Sequence, residues 1–118
     1  MLYMSERYPR LYLYDILDSG KAILEYTQGL SYEQFANDRK TVSATLREFE
    51  IIGEAIGKLP VSLKKQHPEI YWQDIKDFRN LLIHEYFGVD IEIVWNIVKQ
   101  DLPSLVEVVS KIIESLKT

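Results

Sequence analysis

The sequence predicts an all-α helical bundle. Apolar residues recur at three- and four-residue spacing through almost the whole chain, which is the period of an amphipathic helix. No segment of useful length alternates apolar and polar residues with the period of two that a half-buried strand requires. The 118 residues suffice for one compact domain and are too few for two, so we expect residues 1–118 to form a single helical domain.

The first predicted helix has one apolar stripe and ends near Gly29, a position suited to a C-terminal cap. Ser31 and Gln34 fit a capping box, which predicts a short helical turn, and residues 37–39 then interrupt the helix. The stripe consists of Leu13, Ile16, Leu17, Gly20, Leu24 and Thr27.

The second predicted helix is longer and stops before Pro60. It carries Gly53 and Gly57 four residues apart, where we expect a neighbouring helix to approach closely. Residues 60–71 are expected to be a connector. The apolar stripe of this helix consists of Val42, Leu46, Phe49, Ile52, Ile56 and Leu59.

The remaining helices are marked by their ends. The third runs from about Trp72 through His84, and Gly88 is well placed to end it. Asp90 can cap a fourth helix, and Pro103 begins or kinks the last one. Apolar residues of these two helices are Ile91, Val94, Trp95, Val98, Leu105, Val106, Val109, Ile112, Ile113 and Leu116.

Composition and charge exclude several classes of protein. The absence of cysteine excludes a disulfide scaffold, a thiolate zinc site and a cysteine nucleophile. A net charge of −4 does not suit a protein that coats nucleic acid, but it allows a small basic site on the surface. The basic residues near the candidate site are chiefly Lys76 and Arg79, and Arg39 and Lys40 could join them from elsewhere in the chain. No apolar stretch is long enough to span a bilayer, and the start lacks a secretion signal, so we expect a cytoplasmic protein without membrane association.

The third helix carries unusual polar residues. With Arg79 at the origin, a turn of about 100° per residue puts Asn80 at about 100°, His84 at about 140° and Tyr86 at about −20°. The apolar residues lie between about 200° and 320°; they are Ile75, Phe78, Leu81 and Leu82. Solvated helix faces usually carry Lys and Glu, whereas His and Asn are weaker helix formers. An ordinary polar face remains an alternative at this point.

These residue types suit phosphoryl chemistry without a metal ion or other cofactor. An arginine presents a fixed fork of donors to a phosphate, and a histidine accepts and returns a proton near neutral pH. RNA supplies its own nucleophile, the 2′-hydroxyl. Such a pair would cut RNA into a cyclic phosphate and a 5′-hydroxyl. Each chain has one suitable histidine, although the reaction needs both a base and an acid. A dimer would supply two such histidines.

Other chemistries find little support. The five glycines are scattered and form no phosphate-binding loop, and no His-Glu-x-x-His motif is present. His67 precedes a proline in the connector and is expected to be an ordinary exposed residue. Asp74 and Asp77 are close enough on a helix to attract a cation, but solvation is the simpler interpretation.

The sequence resembles the HEPN superfamily, and within it the HepT-like toxins encoded beside minimal nucleotidyltransferase antitoxins. The superfamily signature matches Arg79, Asn80, three spacers and His84, and the tyrosine of the HepT-like branch matches Tyr86. Further similarity is found at residues 51–55, 72–75, 86–90, 95 and 101–103. In all, the resemblance covers nearly the whole chain, from about Arg10 onward.

The resemblance implies an antiparallel bundle of four to five main helices that pairs into a two-fold homodimer, with both signature segments lining one cleft. It also implies a metal-independent endoribonuclease in which Arg79 and His84 act on RNA and Asn80 supports them. In this family the partner nucleotidyltransferase silences the toxin by attaching AMP to the signature tyrosine, here Tyr86. Glu54 is a candidate for a supporting hydrogen bond, with an incidental surface glutamate as the equal alternative.

Two other interpretations remain open from the sequence. In the first, the same polar face docks a minimal nucleotidyltransferase or its nucleotide, and the chain is a binding partner that cuts nothing. In the second, the chain is a purely structural helical dimer with no ligand. Loss of RNA cleavage on replacing Arg79 or His84 would distinguish the ribonuclease from both.

Overall fold

A computed structural model describes the backbone of residues 2–84 and 90–116, and the side chains of residues 9–78 and 90–116. These described residues are predominantly helical and contain no strand. The predictions for Gly88 and Tyr86 therefore lie outside the described residues. The all-α class predicted from the hydrophobic spacing is confirmed.

Four long helices form the body of the fold, with shorter helical segments between them. The long helices are α1 (Leu2–Thr27), α3 (Arg39–Lys58), α5 (Trp72–His84) and α7 (Leu102–Ser115). The short helices are α2 (Tyr32–Ala36), α4 (Val61–Lys65) and α6 (Ile91–Asn96). A π-helical turn, Ile97–Asp101, joins α6 to α7 without a break.

The long helices pack antiparallel. The Tyr26 hydroxyl of α1 donates to Glu48 of α3 at 2.8 Å, which raises the pKa of Tyr26, while Tyr12 lies beside Glu54 further along α3. At the other side of α1, Arg10 donates to the carbonyl of Leu116 at 2.8 Å. Helix α5 packs on α3, so the long helices lie in the order α7, α1, α3, α5.

The predicted helix ends are confirmed where the structure describes them. Gly29 has a φ of 76°, which only glycine adopts easily, and it follows the last turn of α1. Ser31 and Gln34 form the complete capping box of α2. Asp38 caps α3 by accepting from the Thr41 amide and hydroxyl, and these hydrogen bonds hold the pKa of the Asp38 carboxyl below its usual value.

The predicted apolar stripes meet in one core. Leu116 is an exception, being 37% exposed because it follows the end of α7 rather than lying within it. The largest fully buried side chains are Phe35, Phe49, Leu13, Ile16, Ile23, Ile52, Ile56, Leu102, Leu105, Val94 and Val98. The spacing of apolar residues therefore determines which helix faces pack together.

Gly20 lies at a close contact between two helices. A Cβ built on Gly20 of α1 would lie 2.6 Å from Cγ2 of Val106 on α7, so glycine is needed for this approach. Gly57 is exposed, and among the described side chains its built Cβ meets that of Lys76, at 3.6 Å. The helix that approaches Gly57 is thus α5, which contacts it through the Lys76 stem. Gly53 is buried within α3.

Two segments differ from the predicted organisation. The expected connector between residues 60 and 71 contains helix α4, which begins after Pro60. The predicted fourth helix ends as an α-helix at Asn96 and continues as the π-helical turn. Within the described residues, no helix is both long and apolar enough to cross a membrane.

Candidate active site

Helix α5 carries three of the predicted site residues. Positions 79, 80 and 84 all lie within its regular helical backbone, as the sequence predicted. The side chains of Arg79, Asn80 and His84 lie outside the described side chains, and Tyr86 lies outside the described residues altogether. The structure therefore fixes the order of these positions along one helix and leaves their side-chain roles as predictions.

The described part of α5 shows which helix faces are buried. Trp72, Ile75 and Phe78 are buried, whereas Gln73 and Asp77 are exposed. Residues seven apart lie on nearly the same face, because two helical turns take 7.2 residues. Position 80 therefore follows the exposed Gln73, and position 84 follows the exposed Asp77.

Position 79 falls elsewhere on the helix, seven residues after the buried Trp72 and three after Lys76. Trp72 is buried, so the buried face of α5 is wider than the arc of Ile75, Phe78, Leu81 and Leu82 predicted from the sequence. The Trp72 indole Nε1 donates to the His67 carbonyl at 3.0 Å. Position 79 is therefore in line with Trp72 along the helix and about 140° around the axis from position 84.

Phe49 and Phe78 hold α5 against α3. Their ring centroids are 5.3 Å apart at an interplanar angle of 84°, an edge-to-face arrangement that favours the ring quadrupoles. Lys76, earlier in α5, contacts Gly57, later in α3, so the two helices run antiparallel. The α5 positions after Lys76 therefore pass toward the middle of α3.

Glu54 lies on α3 between Phe49, which packs on Phe78, and Gly57, which faces Lys76. It is exposed and lines two cavities, one shared with Tyr12 and Arg47 and one shared with Lys58 and Lys76. Its side chain has an interaction partner. Its supporting role stays a prediction, because the side chains of the signature are not described.

Three lysines that sequence reasoning overlooked lie beside Lys76. Lys58 ends α3, and Lys64 and Lys65 belong to α4, which folds back over α3. The Lys64 ammonium donates to the Ile56 carbonyl at 3.3 Å. Partial burial lowers the pKa of Lys64, and the nearby Lys76 lowers it further. Only the tertiary fold brings these cations together, although the Lys64-Lys65 pair in the connector was a visible signal.

The other candidate residues take ordinary positions. Asp77 accepts a hydrogen bond from Gln73 at 2.9 Å, and Asp74 is exposed at the start of α5. Arg39 and Lys40 begin α3, at the end opposite Lys58, so the structure separates them from the other lysines. Among the described residues, no three His, Asp or Glu side chains are grouped so that they could hold a metal ion.

Comparison with known proteins connects this helix arrangement to one family. Residues 16–112 match the family described as Ribonuclease HepT-like, a stretch that begins in α1, includes all of α5 and ends in α7. No solved structure matches the chain.

Individual relatives are similar over most of their length. The "Probable ribonuclease HepT" of Thermococcus cleftensis is 46% identical over 94 residues, covering 80% of this chain and 86% of that protein. A Methanocaldococcus jannaschii protein named provisionally as an RNase is 35% identical over 114 residues, covering 97% and 94%. A similarly named protein of Caldanaerobacter subterraneus subsp. tengcongensis is 38% identical over 109 residues, covering 92% and 97%.

Proposed function

The chain belongs to the HepT-like ribonuclease family, and we propose that it is an endoribonuclease that cleaves RNA without a metal ion. The observation that carries this proposal is the family match, which extends through α5 and so includes Arg79, Asn80 and His84. The continuous helical backbone of α5 supports it, since positions 79 and 84 share one rigid element.

In the proposed reaction the His84 imidazole accepts the proton of an RNA 2′-hydroxyl. The 2′-oxygen then attacks the adjacent phosphorus, and the bond from phosphorus to the 5′-oxygen breaks. The Arg79 guanidinium stabilises the negative charge that develops on the phosphoryl oxygens, and Asn80 supports its position. The leaving 5′-oxygen takes up a proton, so the products are a 2′,3′-cyclic phosphate and a 5′-hydroxyl.

We further propose that the active form is a two-fold homodimer. A single imidazole that has accepted the 2′-proton must return one to the leaving group, and a second copy of His84 in the same cleft would supply the separate acid.

An assay on the purified protein tests the reaction type. We expect cleavage of single-stranded RNA to continue in the presence of a chelator and to yield 2′,3′-cyclic phosphate ends. An otherwise identical oligonucleotide with one 2′-deoxy residue at the cleavage position should not be cut there, because it lacks the nucleophile. Cleavage at the deoxy position would refute the mechanism, and complete loss of activity with the chelator would refute metal independence. Intact RNA would instead favour a non-catalytic binding partner.

We also propose that the protein is the cytoplasmic toxin of a toxin–antitoxin pair and that a minimal nucleotidyltransferase silences it by attaching AMP to Tyr86. The family resemblance supports this regulation, and Tyr86 follows His84 by only two residues. A phosphate carried by Tyr86 would compete with the RNA phosphate for the Arg79 guanidinium.

Coexpression with a minimal nucleotidyltransferase of the kind encoded beside HepT-like toxins tests this regulation. We expect the intact mass to rise by whole AMP units and RNA cleavage to disappear, because the added anion occupies the phosphate site. Tyr86→Phe should keep its cleavage activity and gain no mass, whereas the control Tyr14→Phe, at a residue that is 37% exposed, should be modified and silenced normally. Modification of Tyr86→Phe to the same extent as the parent protein would rule out this site.

A further inference from the structure

Four lysines from three helices surround a shallow groove beside α5. Lys58, Lys64, Lys65 and Lys76 line two adjoining cavities of about 170 and 440 Å³, and Lys76 belongs to both. We call this surface, together with the Tyr71 side chain in the larger cavity, the lysine groove. Since Lys76 lines both cavities, they lie side by side between the end of α3 and the start of α5.

The charge in the groove is locally basic although the chain is acidic overall. None of the ion pairs between described side chains involves a lysine of the groove. Glu54 and Asp74 are the carboxylates that line it, so the cations outnumber them. Partial burial and, to a smaller extent, repulsion by Lys76 lower the pKa of Lys64. An anion bound between the two lysines would relieve this repulsion.

Tyr71 adds a different kind of contact. It is 68% exposed at the N-terminal end of α5, where its carbonyl accepts from the Ile75 amide at 3.2 Å. The start of α5 thus places an aromatic ring next to the lysines. This combination suits single-stranded nucleic acid, because bases stack on aromatic faces while lysines bind the backbone. An acidic peptide would use the lysines but has no base to stack on the ring.

The groove also leads toward the signature. Lys76 lies one helical turn before position 79 on α5, and Lys58 ends the helix on which α5 packs. An RNA strand that has one phosphate at position 79 would therefore place its neighbouring phosphates along these lysines.

We propose that the lysine groove binds the backbone of single-stranded RNA next to the cleavage site and that Tyr71 stacks on one of its bases. This inference rests on the proposed ribonuclease function. Each phosphate neutralised by a lysine releases counterions, so the affinity contributed by the groove must weaken as the salt concentration rises.

Fluorescence anisotropy with a fully 2′-O-methylated RNA measures this binding without cleavage. We expect Lys58→Gln/Lys76→Gln to bind at least about tenfold more weakly at low salt, with a slope of log affinity against log salt reduced by about 1.4 for two lost contacts. The matched control, Lys21→Gln/Lys111→Gln, removes the same charge from α1 and α7 and lines neither cavity. It should retain both the affinity and the slope.

Four further variants test the groove independently of folding. Lys65→Gln changes an exposed residue and should weaken binding by a smaller factor, whereas Lys58→Arg/Lys76→Arg should restore it. Tyr71→Ala should lose about fivefold or more, and Tyr71→Phe should lose little because it keeps the ring face.

Equal losses in the groove variant and the charge-matched control would overturn the proposal, since net charge alone would then explain binding. Competition by polyglutamate as effective as RNA, with no effect of Tyr71→Ala, would overturn it in favour of an acidic protein partner. Because the RNA cannot be cleaved, a protein without nuclease activity that still binds through the groove would contradict the proposed function and support the groove.

Discussion

Replacing His84 by alanine is expected to reduce the rate of RNA cleavage by about 10²–10⁴-fold, because the reaction loses its general base. Arg79→Ala should reduce it by about 10²–10³-fold, since the charge developing on the phosphate loses its strongest partner. Initial rates in chelator-containing buffer measure both effects. The double variant should be little worse than the more damaged single variant, because the two groups act on one transition state.

The chain contains its own control for the histidine. It has two histidines, and the backbone carbonyl of His67 accepts from the Trp72 indole and the Ile70 amide. His67→Ala leaves that carbonyl in place and should cleave RNA at the parent rate. Size-exclusion chromatography of each variant separates loss of chemistry from loss of assembly. Full activity in His84→Ala, or equal loss in His67→Ala, would exclude His84 as the base.

The sequence was sufficient to predict the long helices, and the starts of the short helices α2 and α6, because their signals are local. The spacing of apolar residues along α3 and α5, and capping groups such as Ser31 and Asp90, act within one or two turns of the chain. Asp90, for example, accepts from the Glu92 amide at 2.9 Å, as its position predicted. Helix boundaries of this kind need no knowledge of the rest of the fold.

Helix α4 and the π-helical turn were not predicted, because neither has a local signal in the sequence. Helix α4 is only five residues long and contains no fully buried side chain, so it has no apolar stripe to detect. Its Lys64 instead bonds to a carbonyl of α3. The π-helical turn before α7 likewise has no local signature, since Pro103 marks only the start of the helix that follows.

The candidate site was predictable in part for the same reason. Arg79, Asn80 and His84 form a local motif on one helix, so their shared element follows from sequence. The burial of Trp72 and the gathering of Lys58 and the α4 lysines around Lys76 depend on α3, α4 and α5 packing together. Residues that meet only through tertiary structure leave no regular spacing in the chain.

The packing that positions α5 leads to the second large effect. Phe49→Ala should lower the free energy of unfolding by about 3–5 kcal/mol, because it removes a fully buried ring and leaves a cavity beside Phe78. This is a large part of the roughly 5–15 kcal/mol that stabilises a typical domain. Urea unfolding followed by circular dichroism measures it as a lower midpoint with an unchanged dependence on urea.

Two comparisons separate the role of the Phe49 ring from general loss of apolar surface. Phe49→Leu should cost much less, because leucine keeps most of the buried volume and loses mainly the edge-to-face contact with Phe78. Val61→Ala should have almost no effect, since Val61 is 63% exposed on α4. If Phe49→Ala unfolds at the same urea concentration as Val61→Ala, Phe49 does not hold α5 on α3. The positions of residues 79 and 84 would then need another support.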